Sequence, residues 1–340
     1  MKRTSYPRAV SRAFKVATIT AALIGVVVYL SAREGQRTQA TQLLDRLPID
    51  TRAVLRIEID ALRTSPSARA LVETVSEPRT LSTIEQLCQL DPWNELSEIV
   101  VWFQGDRGFR STGLVLRGST ADAERLAKCH DTLVRARGGA VAGVDTAYGP
   151  ILKSRDDDSA LAKVDARTVV TGSEATVRSY LSTRGADTPS LRGRPDMLEP
   201  WNEPDPAPIA AIVDLPTSWR AAIDRLGPND ASILGALGGV KTITFRAQDR
   251  EALKGSFAFD FESTEQAAKS ATRLAQLSNT PPPSLPPVFA SMIRNATALS
   301  VSDRVTWTVP LDAEAMKRVA SESPQAQVTP QVPAKNSEAR

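Results

Sequence analysis

The chain has 340 residues with 42 basic and 39 acidic side chains, and its calculated pI is near 8.9. Five of the basic residues precede residue 16, and removing these five from 42 leaves 37 against 39 acidic residues. The bulk of the chain therefore has no electrostatic field that would attract nucleic acid. An apolar content of 41% supports a sizeable core, and about 290 residues after the N-terminal region suggest two domains or one duplicated domain.

Residues 16–32 form an uncharged apolar run, with Lys15 before it and Arg33 after it. As a helix this run is about 25 Å long, close to the ~30 Å hydrocarbon core, and the flanking cations can snorkel. The positive-inside rule keeps the basic N-terminus in the cytoplasm. We therefore predict a cytoplasmic tail (1–15), a single-pass inner-membrane anchor (16–32) and a periplasmic location for the bulk of the chain. A cleaved signal peptide is the alternative.

The first predicted half covers residues 48–182 and follows a polar stalk at 33–47. Apolar residues alternate over 53–59, which predicts a half-buried strand. Residues 98–104 are apolar on both faces, as in a central strand. The pattern further predicts a returning strand at 110–117, a Ser119-capped helix to about Arg137, short strands near 141–144, 151–154 and 168–171, and a helix over 174–181.

Residues 183–207 contain five prolines and no apolar period, so we interpret them as a linker or long surface loop. The second half covers 208–321, and the composition of 322–340 predicts a disordered tail. The second half is predicted to contain a strand at 208–215, a helix at 216–226, a hairpin formed by 240–247 and 253–261, a helix to Leu277 capped by Ser263 and Gln266, strands at 298–301 and 305–309, and a last helix at 312–320.

The two halves share one order of elements. Residues 98–137 and 242–277 both read strand, turn, strand and Ser-initiated helix, and a strand–helix pair precedes each. This pattern predicts an internal duplication. The expected fold class is α+β, with an N-terminal transmembrane helix followed by two tandem βαββαβ-like halves in ferredoxin-like order.

The chain has two cysteines, Cys88 and Cys129. An even count in an exported chain favours a disulfide, and two buried free thiols are the alternative. By the chain-entropy model, a disulfide that closes the loop of about 42 residues between them contributes ~4 kcal/mol.

A short sequence around Trp93 recurs around Trp201: residues 90–95 read LDPWNE and residues 198–203 read LEPWNE. One interpretation is that the two tryptophans are exposed aromatic contacts for a ligand or partner. The other is that each tryptophan packs on the domain and fixes an acidic-Pro turn.

The sequence contains no recognisable catalytic set. His130 is the only histidine, and it neighbours Cys129 on a predicted helix, where adjacent side chains point about 100° apart. One histidine and two distant cysteines provide neither a serine-type triad nor a zinc site. We therefore predict no catalytic residue, no cofactor and no metal.

The start of the predicted domain resembles several families of exported, membrane-anchored bacterial proteins of unknown function. The resemblance implies an exported α+β domain with a possible cysteine pair, and it implies no activity. The residues that carry it are Leu47-Pro48, Asp50-Thr51, Ala53-Val54-Leu55, Ala61-Leu62-Arg63, Ser65-Pro66, Cys88 and Asp91-Pro92.

These observations predict a single-pass inner-membrane protein whose extracytoplasmic domain binds or scaffolds and has no enzymatic activity. Its expected partners are the membrane, through residues 16–32, and envelope proteins or its own copies, with no nucleic acid. Two alternatives stay open: an envelope hydrolase with paired carboxylates, and a domain that binds lipid or peptidoglycan fragments.

Overall fold

The computed structural model describes residues 43–63, 84–105, 111–185, 188–202, 207–226, 233–249, 253–282 and 287–310. The predicted anchor, the basic tail, residues 33–42 of the stalk and the tail 322–340 lie outside these ranges. The last predicted helix, at 312–320, lies outside them as well. Within the described ranges, no helix is both long and apolar enough to cross a bilayer.

The strands are β1 (Thr51–Glu58), β2 (Leu96–Gln104), β3 (Ser111–Gly118), β4 (Val141–Thr146), β5 (Gly149–Ser154), β6 (Ser159–Lys163), β7 (Thr168–Ser173), β8 (Ile209–Asp214), β9 (Val240–Asp249), β10 (Leu253–Phe261), β11 (Thr297–Val301) and β12 (Arg304–Pro310). The helices are α1 (Ile59–Leu62), α2 (Pro92–Glu95), α3 (Ala123–Ala136), α4 (Glu174–Ser182), α5 (Glu199–Asn202), α6 (Thr217–Leu226), α7 (Thr264–Asn279) and α8 (Pro287–Arg294).

All twelve strands belong to one sheet, and every neighbouring pair is antiparallel. The order is β11-β12-β10-β9-β8-β1-β2-β3-β7-β6-β5-β4. The α+β class is confirmed, but the predicted two ferredoxin-like halves are wrong. In that motif a third strand separates the first two strands of each unit, whereas β1 and β2 are neighbours here, as are β8 and β9.

The connection between β1 and β2 explains the error. β1 ends at Glu58, which pairs with Glu98 near the start of β2. The segment between the two strands therefore leaves and returns at the same end of the sheet. A strand–helix–strand order in the sequence gives a parallel crossover only when the helix returns the chain to the opposite end.

The strand order, counted outward from the central β8–β1 pair, has a common plan. In each half the first three strands are consecutive neighbours, and the third pairs with the last strand of that half: β3 with β7, and β10 with β12. The first half has two additional strands, β4 and β5, beyond β6. This correspondence supports the internal duplication, which stays a prediction.

Helices α3 and α7 lie on the same side of the sheet, one in each half, and we call this side the back face. In the first half α3 packs Leu126 and Ala127 onto it, and in the second half α7 packs Ala267 and Leu274. The opposite side is the front face. Strand residues on the back face include Leu116, Val169, Phe259 and Val305, and those on the front face include Val54, Val100, Val115 and Val170.

The front face of the first half is buried beneath α4 and two segments that the sequence analysis treated as non-core. The last stalk residues contribute Leu43, Leu44 and Leu47 to the core. The proline-rich segment 188–202 packs Leu191, Met197, Leu198 and Trp201 against the same face. The interpretation of 183–207 as a linker or surface loop therefore needs correction, because its scattered apolar residues cover strands without following a regular period.

Trp102 fills the centre of this buried face. Its side chain is fully buried, and its ring lies 5.6 Å from that of Tyr180 on α4. The neighbouring position on β3 is Gly113, where an added Cβ would come within 2.0 Å of the indole. A glycine in the middle of this strand therefore makes room for the large ring.

The N-terminus of α3 differs from the prediction. Ser119 does not cap the helix; Asp122 does, by accepting a hydrogen bond from the backbone N–H of Arg125. The predicted cap of α7 is confirmed, because Ser263 accepts from the N–H of Gln266. The sequence also missed β6, whose five residues follow an acidic turn, and α8, which begins at the end of a proline-rich run.

Candidate functional site

The front face of the second half carries polar side chains where the first half has an apolar core. Cross-strand pairing places Ser256, Arg246, Ala210, Arg56 and Val100 side by side in one row across the sheet. The row continues through Val115, Val170 and Ala162. The chemistry thus changes from apolar to polar within one continuous surface, near the central strands.

A cavity of about 180 Å³ lies on this polar surface, between α5 and strands β9, β10 and β12. Six of its lining residues come from the sheet, and α5 forms the opposite wall. The lining residues are Thr244, Arg246, Ser256, Ala258, Arg304, Thr306, Glu199 and Pro200. The cavity therefore presents hydroxyl groups from three strands and one guanidinium at each side.

Arg304 fixes the α5 wall against the sheet. Its guanidinium forms two hydrogen bonds with Glu199, at 2.8 and 3.0 Å, and its Nε donates to Asp260 at 2.5 Å. These hydrogen bonds raise the pKa of Arg304 and lower the pKa of Glu199. The carboxylate of Glu199 is therefore held in its charged form.

Arg246 lies on the other side of the cavity, in the middle of β9. It is half-buried, and burial lowers the pKa of its guanidinium. An arginine keeps its charge throughout the physiological range even so. The strand pairing sets Ser256 directly beside it, and Thr244 lies two residues away on the same face.

A buried ion-pair network lies on the front face of β1 and β2, where the covered face of the first half meets the polar face of the second. Arg56 donates from Nε to Glu98 at 2.6 Å, and both residues are about 5% exposed. Glu58 and Arg117 add further contacts to this pair, at 3.3 and 3.4 Å. The charges in this network are therefore matched by one another, and we assign it a structural role.

The segment that carries α5 is fastened to the sheet by a second network. Arg194 contacts Asp196 at 2.7 Å and Asp214 of β8 at 3.1 Å, and Arg52 of β1 contacts the same Asp214 at 2.5 Å. This network holds the segment 188–202 against β8, at the edge of the covered front face of the first half. The position of the cavity wall is therefore set by contacts with the central strands β1 and β8.

The structure contains the predicted disulfide between Cys88 and Cys129, with their Cα atoms 4.8 Å apart. It joins the short helical stretch 84–88 to α3 on the back face. Cys129 therefore has no free thiol beside His130. Burial is the main cause that lowers the pKa of His130, so this histidine is neutral at physiological pH.

The two tryptophans of the repeated sequence both pack on the domain. Trp201 is 7% exposed and belongs to the core under the front face. Trp93 is half-buried against the back-face clusters, and Asp91 caps its helix by accepting from the N–H groups of Trp93 and Asn94. Neither side chain lines the cavity.

The sequence analysis singled out none of the cavity residues. A signal was available in β10, where Phe257, Phe259 and Phe261 alternate with Ser256, Ala258 and Asp260. The alternation predicts one polar face, but not whether that face is covered. The opposing wall comes from a segment about 50 residues earlier in the chain, and no local pattern connects it with these strands.

Across the described ranges, no group of three or more His, Cys, Asp or Glu side chains is arranged to hold a metal ion. The cavity has one carboxylate, Glu199, and it is already bound to Arg304. The arrangement is therefore suited to recognising a polar group through hydrogen bonds and a guanidinium.

No protein-family model and no curated protein matches the chain. Among solved structures, crystal forms III and IV of TP0453 both align with a TM-score of 0.46, at 12% and 11% identity. Each alignment covers 82% of this chain, and 97% and 94% of the TP0453 chains respectively. A likeness of this extent assigns neither a fold family nor a function.

Proposed function

We propose that this chain is an extracytoplasmic binding protein, anchored in the inner membrane by residues 16–32, whose ligand docks on the open front face of the second half. The observation that carries the proposal is the cavity lined by Arg246, Thr244, Ser256 and Thr306. It lies on the polar part of the front face, beyond the central strands at which the apolar core of the first half ends.

The lining favours a ligand that presents a carboxylate or phosphate group. A guanidinium matches the geometry of both anions, and neighbouring hydroxyl groups can complete their hydrogen bonding. The cavity is smaller than the ~300–1,000 Å³ typical of sites that enclose a whole small molecule. The ligand is therefore expected to insert one anionic group and to rest its remaining part on the open sheet, as a larger binding partner would.

The alternative of a carboxylate hydrolase is less well supported by this geometry. Such an enzyme needs one carboxyl group that stays protonated near neutral pH, and burial or a nearby negative charge normally provides this. The pKa of Glu199 moves the other way, because Arg304 binds its charged form. The absence of enzymatic activity stays a prediction.

The alternative of a lipid-binding domain requires a large apolar or aromatic-lined cleft. This cavity has Pro200 and Ala258 as its apolar lining, and the remaining residues are polar or charged. Its chemistry therefore favours a polar ligand over an acyl chain.

Isothermal titration of the full-length protein in detergent tests the site, with inorganic phosphate and acetate as probes. Thr244→Val and Ser256→Ala each remove one hydroxyl with little change in shape, and each is expected to weaken anion binding about 5–10-fold. Thr242→Val is the matched control, because Thr242 lies on the same strand and face but outside the cavity lining. Equal losses in all three variants, or no binding of either probe by the unaltered protein, would refute the assignment.

The membrane topology is tested separately with alkaline phosphatase fused to the C-terminus. We expect an active fusion, because the enzyme requires the oxidising periplasm to form its disulfides. An inactive alkaline phosphatase fusion, together with an active fusion to a reporter that works only in the cytoplasm, would overturn the extracytoplasmic part of the proposal. The anion site would then still be judged by titration.

A further inference from the structure

The strand β11 forms one edge of the sheet and has unusual composition for an edge. It reads Thr-Ala-Leu-Ser-Val and contains no charged residue, proline or glycine. Leu299 and Val301 are 65% and 66% exposed. Natural sheets usually protect an edge with charges, prolines or bulges, because unpaired backbone groups there bind other strands.

The opposite edge of the sheet is protected in the usual way. Strand β4 carries an exposed Asp145 and an exposed Gly143. A charge on an edge strand opposes pairing with another chain, and a glycine weakens the strand. The two edges of the same sheet therefore differ in their capacity to accept a further strand.

The turn after β11 fixes which backbone groups are available. Ser302 and Asp303 form a two-residue turn, with Ser302 at φ 58°, and Val301 pairs with Arg304. The residues that flank such a turn exchange backbone hydrogen bonds, and bonded and non-bonded pairs then alternate along the strands. The N–H and C=O groups of Leu299 and Val301 therefore point towards β12, and those of Ala298 and Ser300 point outward.

We propose that β11 pairs antiparallel with β11 of a second copy of this chain, with the two-fold axis at Leu299. This register sets Ala298 opposite Ser300 of the other copy, so that each pair exchanges its outward backbone hydrogen bonds. Leu299 lies opposite its own counterpart, and Thr297 lies opposite Val301. The strand is self-complementary in this register, and no charged side chain opposes another.

Self-complementarity is the reason for choosing a second copy over an unrelated strand. A two-fold interface requires one surface to match itself, and this strand meets that requirement in both backbone groups and side chains. Five residues bury a small area, so the expected dimer is weak and dependent on concentration. Confinement to a membrane surface would favour it. The inference rests on β11 alone and is independent of the anion site.

Cysteine cross-linking of the full-length protein in detergent tests the register. In a non-hydrogen-bonded antiparallel pair the Cα atoms are ~4.5 Å apart, within reach of a disulfide. Leu299→Cys is therefore expected to form covalent dimers under mild oxidation. Thr297→Cys alone is the matched control, because its two copies would lie four residues apart along the strands, roughly 13 Å. Mixing Thr297→Cys with Val301→Cys should restore cross-linking.

Sedimentation over a range of protein concentrations supplies the second measurement. Leu299→Lys places like charges at the two-fold axis and is expected to raise the dissociation constant at least about tenfold. The side chain is exposed, so the fold is retained, and circular dichroism verifies this. A dimer that persists unchanged in Leu299→Lys would overturn the proposal, as would equal cross-linking at positions 297 and 299. Cross-linking of Leu299→Cys in membranes to a different protein, without a homodimer, would refute it in favour of another partner.

Discussion

The two halves of the sheet share the order of their first three strands and the pairing of the third with the last, but their front faces differ. In the first half α4, the end of the stalk and residues 188–202 bury the face around Trp102. In the second half the corresponding face carries polar side chains, and within the described ranges α5 forms the wall of the cavity opposite the sheet. The back faces are alike, since α3 and α7 cover them with apolar residues. The covered face stabilises the fold, and the equivalent polar face is where we propose that the ligand binds.

Removing one charge from each half should give the largest difference between them. Glu98→Gln removes the negative charge closest to the buried guanidinium of Arg56 and is expected to cost about 3 kcal/mol of unfolding free energy. Asp260→Asn removes a carboxylate from the half-exposed cluster around Arg304 and should cost less than about 1 kcal/mol. Urea unfolding of both variants measures the difference, and equal losses would contradict the distinction between a closed and an open face.

Alkaline pH should destabilise the closed face through Tyr180. Burial raises the pKa of its phenol to about 12 from an ordinary value near 10. The folded state therefore holds this proton more tightly than the unfolded state does. The resulting stability is fully present below pH ~10 and is lost as the pH rises towards 12, by on the order of 2–3 kcal/mol.

Tyr180→Phe is the control for this pH dependence. The Tyr180 hydroxyl is buried and has no hydrogen-bond partner within the described part of the chain. Its removal should therefore leave stability at pH 7 unchanged or slightly higher. Unfolding measured between pH 9 and 12 should show a shallower decline in the variant, and an identical decline would show that another group is responsible.

A small increase in side-chain volume should separate the two front faces again. Gly113→Ala drives a methyl group into the ring of Trp102 and is expected to cost about 1–3 kcal/mol. Ala258→Ser, in the same cross-strand row on the open side, should cost less than about 0.5 kcal/mol. Thermal unfolding compares them, and similar changes in melting temperature would argue that the cavity region is packed as tightly as the core.

The smallest effect tests the similarity of the back faces. Asp122→Ala and Ser263→Ala each remove the side-chain cap of a back-face helix, and each should cost about 1 kcal/mol. Thr120→Ala is the control for the first half, because Thr120 is exposed, precedes the same helix and does not serve as its cap. Clearly unequal costs for the two caps would show that the helices contribute differently to the halves.

Local patterns predicted most of the regular elements correctly. The alternation in β1, the two-sided apolar run in β2, the hairpin of β9 and β10 and the cap at Ser263 all depend on neighbouring residues. The predicted pairing of Cys88 with Cys129 was also correct. The errors arose where the decisive contact is distant: the pairing of β1 with β2, the burial of Leu191 and Met197, and the cavity wall at Glu199.

The amino-acid sequence by itself determined the α+β class, the faces of individual strands and the disulfide, because propensity, alternation and cysteine count act over short separations. The resemblance to exported families stays a prediction, and so does the inner-membrane location, which rests on residues outside the described ranges. Only the tertiary structure decided which strands are neighbours and which faces are covered. Those choices depend on contacts such as Arg304 with Glu199, 105 residues apart, whose geometry no local pattern encodes.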